Sequence, residues 1–209
     1  ITFQPDPEIF GTHVFVPARL YKLCRSKAFL FRGVTIRWSC DSSLIKAGDD
    51  TPAEAVLHFP GGLADSLADE LGPNAPLLTP FWSGEAPLPP QADGTDNGKV
   101  EWAVAFLESG PASLISYCNT IPTPLGGTHE TGFRNALLKG LRAWGDQRSI
   151  KNAASITAED ILGMIAARLS ASIRDPQFQG QPKGKPTTAD ASKLLAPALR
   201  DRFHDSLAP

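Results

Sequence analysis

The sequence predicts a mixed α+β fold: one sheet, mainly antiparallel, with helices packed on one face. Three observations lead there. Val100, Trp102, Val104 and Phe106 alternate with shorter or polar residues, as do Ile165, Ala167, Leu169, Ala171 and Ile173, and a period of two marks strands. Phe133, Leu137, Leu141 and Trp144 recur at helical spacing. Strands and helices interleave, and no internal repeat breaks the pattern.

The elements follow in order. Ile1 to Pro5 reads as a short strand and Pro7-Glu8-Ile9-Phe10 as a turn. Pro17 suits a first helical position, and Leu20, Leu23, Cys24, Ala28 and Phe31 give the next segment an apolar stripe, closed by Gly33. Val34, Ile36, Trp38 and Cys40 mark a strand with one buried face, and Ala55 to Phe59 a second. Pro60-Gly61-Gly62 starts a helix reaching about Leu71. Residues 73–98, rich in Pro, Gly and Asp, read as a long loop or insert holding a short strand near Phe81-Trp82.

Gly110-Pro111 turns the chain, so Leu114 to Ile121 is expected to return against the preceding strand as an antiparallel hairpin. Thr128 can cap the following helix. Thr157-Ala-Glu-Asp160 resembles a capping box and opens a short one. After the strand at Ile165–Ile173 comes a loop, and then a terminal helix over 189–207 with Leu195, Leu199 and Phe203 on one stripe. Pro197 within that helix predicts a kink or a late start. The 209 residues are sufficient for one domain, 1–209. The chain opens on Ile1 inside an apparent strand and closes in a helical pattern, as a piece of something longer would.

Composition is that of a soluble globular protein, 42% apolar and 20% charged. No apolar run approaches the roughly 20 residues of a membrane span. Cys24, Cys40 and Cys118 are odd in number and far apart, reading as buried thiols of a reducing cytosol. No metal site is expected, since His13, His58, His129 and His204 form no ligand spacing with them.

Net charge is only −2, but it is unevenly spread. Between Ile9 and Cys40 every charged side chain is basic: Arg19, Lys22, Arg25, Lys27, Arg32 and Arg37. From Asp41 to Glu108 acids dominate. This polarity suits a basic face toward nucleic-acid phosphates, and equally suits two ordinary solvated faces.

The chemistry-bearing stretch is Arg174 to Lys185, Arg-Asp-Pro-Gln-Phe-Gln-Gly-Gln-Pro-Lys-Gly-Lys. It can set Lys183 as a mobile cation and Gln181 as a donor against an oxyanion such as a phosphate, or it can be a plain solvated connection. It is not a P-loop. The glycines at 180 and 184 are one residue too close together, and Pro186 stands where a magnesium-binding Ser or Thr belongs.

Two long motifs then identify a family. Ser116-Tyr-Cys-Asn-Thr-Ile-Pro-Thr-Pro-Leu-Gly-Gly-Thr-His-Glu-Thr-Gly-Phe-Arg134 resembles the N-x-I-P-x-x-x-GGTH-x-x-G-[FL]-R stretch of bacterial type IIA topoisomerase B subunits. Asp175-Pro-Gln-Phe-Gln-Gly-Gln-Pro-Lys183 resembles their DP-x-F-x-x-QTK loop. The phrases Arg37-Trp-Ser-Cys-Asp41, Glu101-Trp-Ala and Ser116-Tyr-Cys-Asn119 are closer to the topoisomerase IV branch than to the gyrase branch.

The resemblance implies the family's transducer domain, with a ribosomal protein S5 domain 2-like fold and a left-handed βαβ crossover. Such a domain lies between a GHKL ATPase domain and a TOPRIM domain, neither of which is found in this sequence. The implied function is ATP-driven duplex strand passage, decatenation or relaxation, by an isomerase of the bacterial cytoplasm. ATP and Mg2+ would be bound mainly outside this segment, so the segment alone is expected to be inactive. The implied partners are double-stranded DNA, the A (breakage-reunion) subunit and a second copy of the whole subunit, with no membrane.

Within that scheme Lys183, the catalytic candidate, and Gln181 would reach the γ-phosphate of ATP held by the neighbouring domain. Losing those contacts on hydrolysis would let the two domains rotate. Arg19, Lys22, Arg25 and Arg32 become candidate DNA-facing residues. Pro182 replaces the family's Thr and removes a backbone donor, and Pro186 replaces a Leu. The Gly126-Gly127-Thr128-His129 segment reads as structural. The alternative is a stand-alone S5-like nucleic-acid-binding module without ATP coupling.

Overall fold

The computed structural model describes residues 1–11, 15–90, 93–174 and 189–207. The chain, expected from its length to form one domain over 1–209, divides into two compact units, Ile1–Pro60 and Gly61–Pro209.

In the first unit a short helix α1 (Pro7–Phe10) is capped by Asp6, whose carboxylate accepts from the Glu8 amide at 2.9 Å. Helix α2 (Pro17–Leu30) begins at the proline, whose missing N–H costs nothing at a helix start. Strands β1 (Thr35–Ser39) and β2 (Glu54–His58) pair antiparallel, Ile36 opposite Leu57 and Trp38 opposite Ala55. That face turns toward α2, where Tyr21 meets Trp38 at 5.6 Å between rings.

The expected α2 stripe is only partly realised. Ala28, Phe29 and Leu30 are buried, while Leu23 and Phe31 stay half exposed. Two five-residue strands offer too little surface to cover a four-turn helix. Ile1, Phe3, Ile9, Phe10 and Phe15 are exposed as well.

The second unit opens with α3 (Leu63–Leu71) and is built on a sheet of order β3-β4-β7-β5-β6. Its strands are β3 (Trp82–Pro87), β4 (Gly98–Phe106), β5 (Ser113–Cys118), β6 (Ile121–Pro122) and β7 (Ile165–Ile173). The strand expected near Phe81-Trp82 is real and longer than foreseen. The β4–β5 hairpin is not formed: β7 lies between them, antiparallel to β4 over nine residue pairs and parallel to β5.

The reason lies in β7 itself. Its small and apolar residues are buried on both faces, which suits a central strand, and the return from β4 is made by a segment with fewer residues to pair. A helical crossover joins the parallel pair through α4 (Thr128–Gln147) and α5 (Ala158–Leu162). The capping box at α5 forms as expected, Asp160 N donating to Thr157 Oγ1 and Thr157 N to Asp160 Oδ2. Thr128 is instead the first residue of α4, with Gly127 at the cap position.

The long helices α4 and α6 (Ala189–Ser206) cover one face of the sheet, over Val100, Trp102, Val104, Ala167, Leu169 and Ala171. Pro197 is accommodated within α6. Phe203 is fully buried beside Trp82, at 4.7 Å between rings. The two helices approach closely because α4 carries glycine where they meet. A Cβ on Gly132 would lie 3.0 Å from both Ser192 Cα and Ser192 O of α6.

The shorter α3 lies on the opposite face, over Ala103, Ala105, Ala166 and Arg168. The guanidinium of Arg168, only 3% exposed, pairs there with Glu70 of α3 and donates to its own neighbour's carbonyl at Ala167. No described helix is long and apolar enough to cross a membrane.

Candidate functional site

Strand β7 is the central member of the sheet and delivers the Arg174–Lys185 stretch. Gln181 and Lys183 lie outside the described residues, as do Pro182 and Pro186. The root of that stretch is described, and it is held on two sides.

On the β5 side, the amide of Asn119 donates to Ala171 O at 2.9 Å, continuing the parallel ladder one residue past β5. The Asn119 side chain then takes over: Oδ1 accepts from Ile173 N at 2.8 Å and Nδ2 donates to Ile173 O at 2.9 Å. On the β4 side, Arg174 N donates to Asn97 O at 3.3 Å. Asn97 is itself pinned, its Nδ2 donating to Pro89 O. Asn119 and Thr120 both have positive φ, 48° and 64°, which makes the tight turn from β5 to β6.

A second set of polar groups is packed beneath the β5–β6–α4 corner. Ser116 Oγ donates to Glu130 Oε1 at 2.6 Å. An ionised carboxylate only accepts, so Ser116 Oγ must accept from Thr123 Oγ1, 2.5 Å away. Thr123 Oγ1 in turn accepts from His129 Nε2 at 3.1 Å.

The relay therefore places a proton on His129 Nε2. Nδ1 is a buried atom with no partner among the described residues, tolerable for a lone pair and unfavourable for an N–H. Burial pushes the His129 pKa down to about 4. Arg134 closes the network on the outer side, at 3.2 Å from Glu130 Oε2. Ser116 and His129 are 3% and 0% exposed, so no substrate reaches this serine and the arrangement is structural, in keeping with the sequence reading of the GGTH segment.

The basic candidates sit on or beside α2. Arg19, Lys22 and Arg32 are exposed. Arg25 is half-buried, its guanidinium carbon 6.0 Å from the Phe59 ring centre. Among the described residues, no group of three or more His, Cys, Asp or Glu could hold a metal ion. Cys118 is buried, and desolvation raises its thiol to about 11, so it stays protonated. Cys24 and Cys40 are half-buried and free.

Of the stretches singled out in the sequence, the basic run lies on and beside α2, and residues 175–188 are outside the described ones. Sequence reasoning misses the Asn119 clasp and the Ser116–Glu130 relay, although Asn119, Ser116 and Glu130 all lie inside the motif it singles out. The one local signal is Asn119 itself, a residue suited to left-handed turn positions.

The DNA gyrase B family profile matches residues 65–209 of this chain. The topoisomerase 4 B subunit of Caulobacter vibrioides is 45% identical over 97% of the chain and 29% of its own length. The DNA gyrase B subunit of Chlamydia muridarum is 36% identical over 93% of the chain and 23% of its length. Among solved structures, the 43K ATPase domain of Thermus thermophilus gyrase B, in complex with an aminocoumarin, superposes with a TM-score of 0.74 at 26% identity. That match covers 98% of this chain and 52% of the other. The chain thus spans under a third of the length of the topoisomerase relatives it matches.

Proposed function

Since this chain belongs to the DNA gyrase B family, we propose that it is the transducer segment of a type II DNA topoisomerase. In this reading it couples ATP binding and hydrolysis in an adjoining GHKL domain to closure of a protein clamp on duplex DNA. The topoisomerase IV branch is favoured by the higher identity to a topoisomerase 4 relative, 45% against 36% for a gyrase one. The whole enzyme would be a cytoplasmic bacterial isomerase acting with an A subunit, a TOPRIM domain and a second copy of itself.

The observation that carries this reading is the end of strand β7, which is buried on both faces and held at its exit from two sides, with the Asp175–Lys183 motif next in the sequence. A rigid root is what a residue needs if it must reach a phosphate bound elsewhere. Lys183 would supply a point charge that offsets the growing charge on the transferred phosphoryl group, and Gln181 a neutral donor beside it. Their loss of contact once that phosphate leaves would change the preferred angle between domains.

Mg2+ would accompany the nucleotide in the neighbouring domain, as the family resemblance implies. Exposed Ile1, Phe3, Ile9, Phe10 and Phe15 would give the neighbouring domain an apolar surface to cover. Arg19, Lys22, Arg25 and Arg32 are the proposed DNA-facing set.

The test is turnover. This chain alone should hydrolyse no ATP, and Lys183→Ala in the full-length protein should lower ATP hydrolysis and strand passage. Unchanged hydrolysis and passage in that variant would refute the role.

A further inference from the structure

We propose that Asn97–Gly98 is a self-modification site: when this end of the β3–β4 hairpin opens, the pair converts to an isoaspartyl linkage, which loosens the end of β7. Of the five asparagines in the chain, Asn97 alone precedes a glycine. With no side chain on the following residue, the Gly98 backbone nitrogen has the freest path to the Asn97 carboxamide carbon.

The fold demands both residues. Gly98 has φ 102°, and a Cβ there would run into the carbonyl oxygen of Ser172 on β7, so no other residue fits. Asn97 is buried, 8% exposed. Its Nδ2 donates to Pro89 O across the connection between β3 and β4, and its backbone carbonyl accepts from Arg174 N at 3.3 Å. An aspartate would lose the donor and turn a carboxylate toward the Pro89 carbonyl. A reactive dipeptide is therefore kept because two neighbouring segments are built on it.

The chemistry needs only water. Gly98 N bonds to Asn97 Cγ, the Cγ–Nδ2 bond breaks, and ammonia leaves with the Gly98 amide proton. Water then opens the succinimide. Attack at Cγ gives aspartate; attack at the Asn97 backbone carbonyl carbon leaves the main chain running through Cγ, one methylene longer.

The folded state blocks the first step. The carboxamide is committed to Pro89 O, the Gly98 N–H donates to Asp96 Oδ1 at 2.7 Å, and Gly98 O accepts from Leu88 N at 2.8 Å. Gly98 is also the first residue of β4, paired with Ile173 at the end of β7. Attack requires Asn97 and Gly98 to leave these partners together, so its rate follows local opening of this end of the sheet. Once the linkage is isoaspartyl, the added methylene puts the Gly98–Ile173 pairing and the Arg174–Asn97 bond out of register, and the two cannot both re-form.

The experiment ages the full-length protein at mildly alkaline pH, natively and in urea, and follows conversion by peptide mass and isoaspartate-specific methyl labelling. In urea Asn97 should convert faster than the other four asparagines of this chain. Natively it should convert at least roughly tenfold more slowly than in urea, because only the opened fraction reacts. Asp96→Ala frees the Gly98 N–H and should raise the native rate severalfold with little change in urea. Hydrogen exchange at the Arg174 amide should be faster in aged protein. Freshly made Asn97→Asp, which lacks the donor but not the register, should lie between fresh and aged protein.

Equal rates natively and in urea, or another of these asparagines ahead of Asn97 in urea, would overturn the assignment of the site. A native rate unchanged or slowed in Asp96→Ala would overturn the block at the Gly98 amide. Converted protein that keeps the Arg174 exchange of fresh protein would overturn the consequence for β7.

Discussion

Replacing His129 by glutamine should flatten the acid limb of the stability curve. The imidazole is fully buried and held neutral, its pKa brought from an ordinary 6.5 to about 4 by desolvation. An unfolded chain takes up a proton here as pH falls through 6.5, and the folded chain does not until about pH 4. The unfolded state thus binds more protons in that window, and folding stability must fall with pH across it. The contribution is fully present above pH 6.5 and is lost progressively toward pH 4. At about pH 5 the unfolded site is almost wholly protonated and the folded site barely so, which amounts to about 2 kcal/mol relative to about pH 7.5. Glutamine places an N–H where Nε2 was, so it can still donate to Thr123 while carrying no titratable group. Urea denaturation followed by tryptophan fluorescence at these two pH values measures the difference for both proteins. The wild type should lose about 2 kcal/mol more than His129→Gln between the two conditions. Parallel losses would refute the reasoning, as would an NMR titration placing the folded His129 pKa near the ordinary 6.5.

Other consequences can be measured on the same preparation. Phe203→Ala leaves a void among Trp82, Phe106 and Gly140 and should cost about 3–5 kcal/mol in denaturant unfolding. Gly132→Ala forces α4 from α6, because the added methyl meets backbone atoms of Ser192. Overpacking should outweigh the better helix propensity by about 1 kcal/mol, seen as a thermal midpoint lowered by a few degrees. Glu70→Ala strands the buried Arg168 guanidinium and should destabilise by about 1–3 kcal/mol, discounted because Glu70 itself is partly solvated, with Glu70→Gln recovering part of the loss. In the full-length protein, Arg19→Glu with Lys22→Glu should weaken duplex binding and reduce the slope of log affinity against log salt by about 2; an unchanged slope would remove both from the DNA-facing set.

Local chemistry is what the sequence displays best. Pro17 at a helix start, the alternation from Val100 to Phe106 and the Thr157–Asp160 box each act within a few residues, and each appears in the structure. Pairings between distant segments are not legible. Ser113–Cys118 looks like the return arm of a hairpin, because nothing local announces that a strand about fifty residues later will insert beside it. Arg168 and Ser170 are the polar members of the β7 alternation, yet both are buried, Arg168 having its charge met by Glu70 from a helix almost a hundred residues earlier. Leu23 and Phe31 fit the helical stripe and remain exposed, since periodicity marks an apolar face without saying what covers it. The candidate site divides the same way. Its lysine loop is visible as a motif, whereas the Asn119 clasp on Ile173 joins residues too far apart for spacing to reveal.

The central claim is that Lys183 senses the terminal phosphate of a nucleotide held by a neighbouring domain. Binding of a non-hydrolysable ATP analogue and of ADP to the full-length protein, with and without Lys183→Ala, tests it most directly. The account predicts analogue affinity weakened by roughly tenfold or more, the scale of a lost charge-assisted contact, with ADP affinity unchanged. Equal affinities in variant and wild type, or an equal loss for both nucleotides, would contradict it.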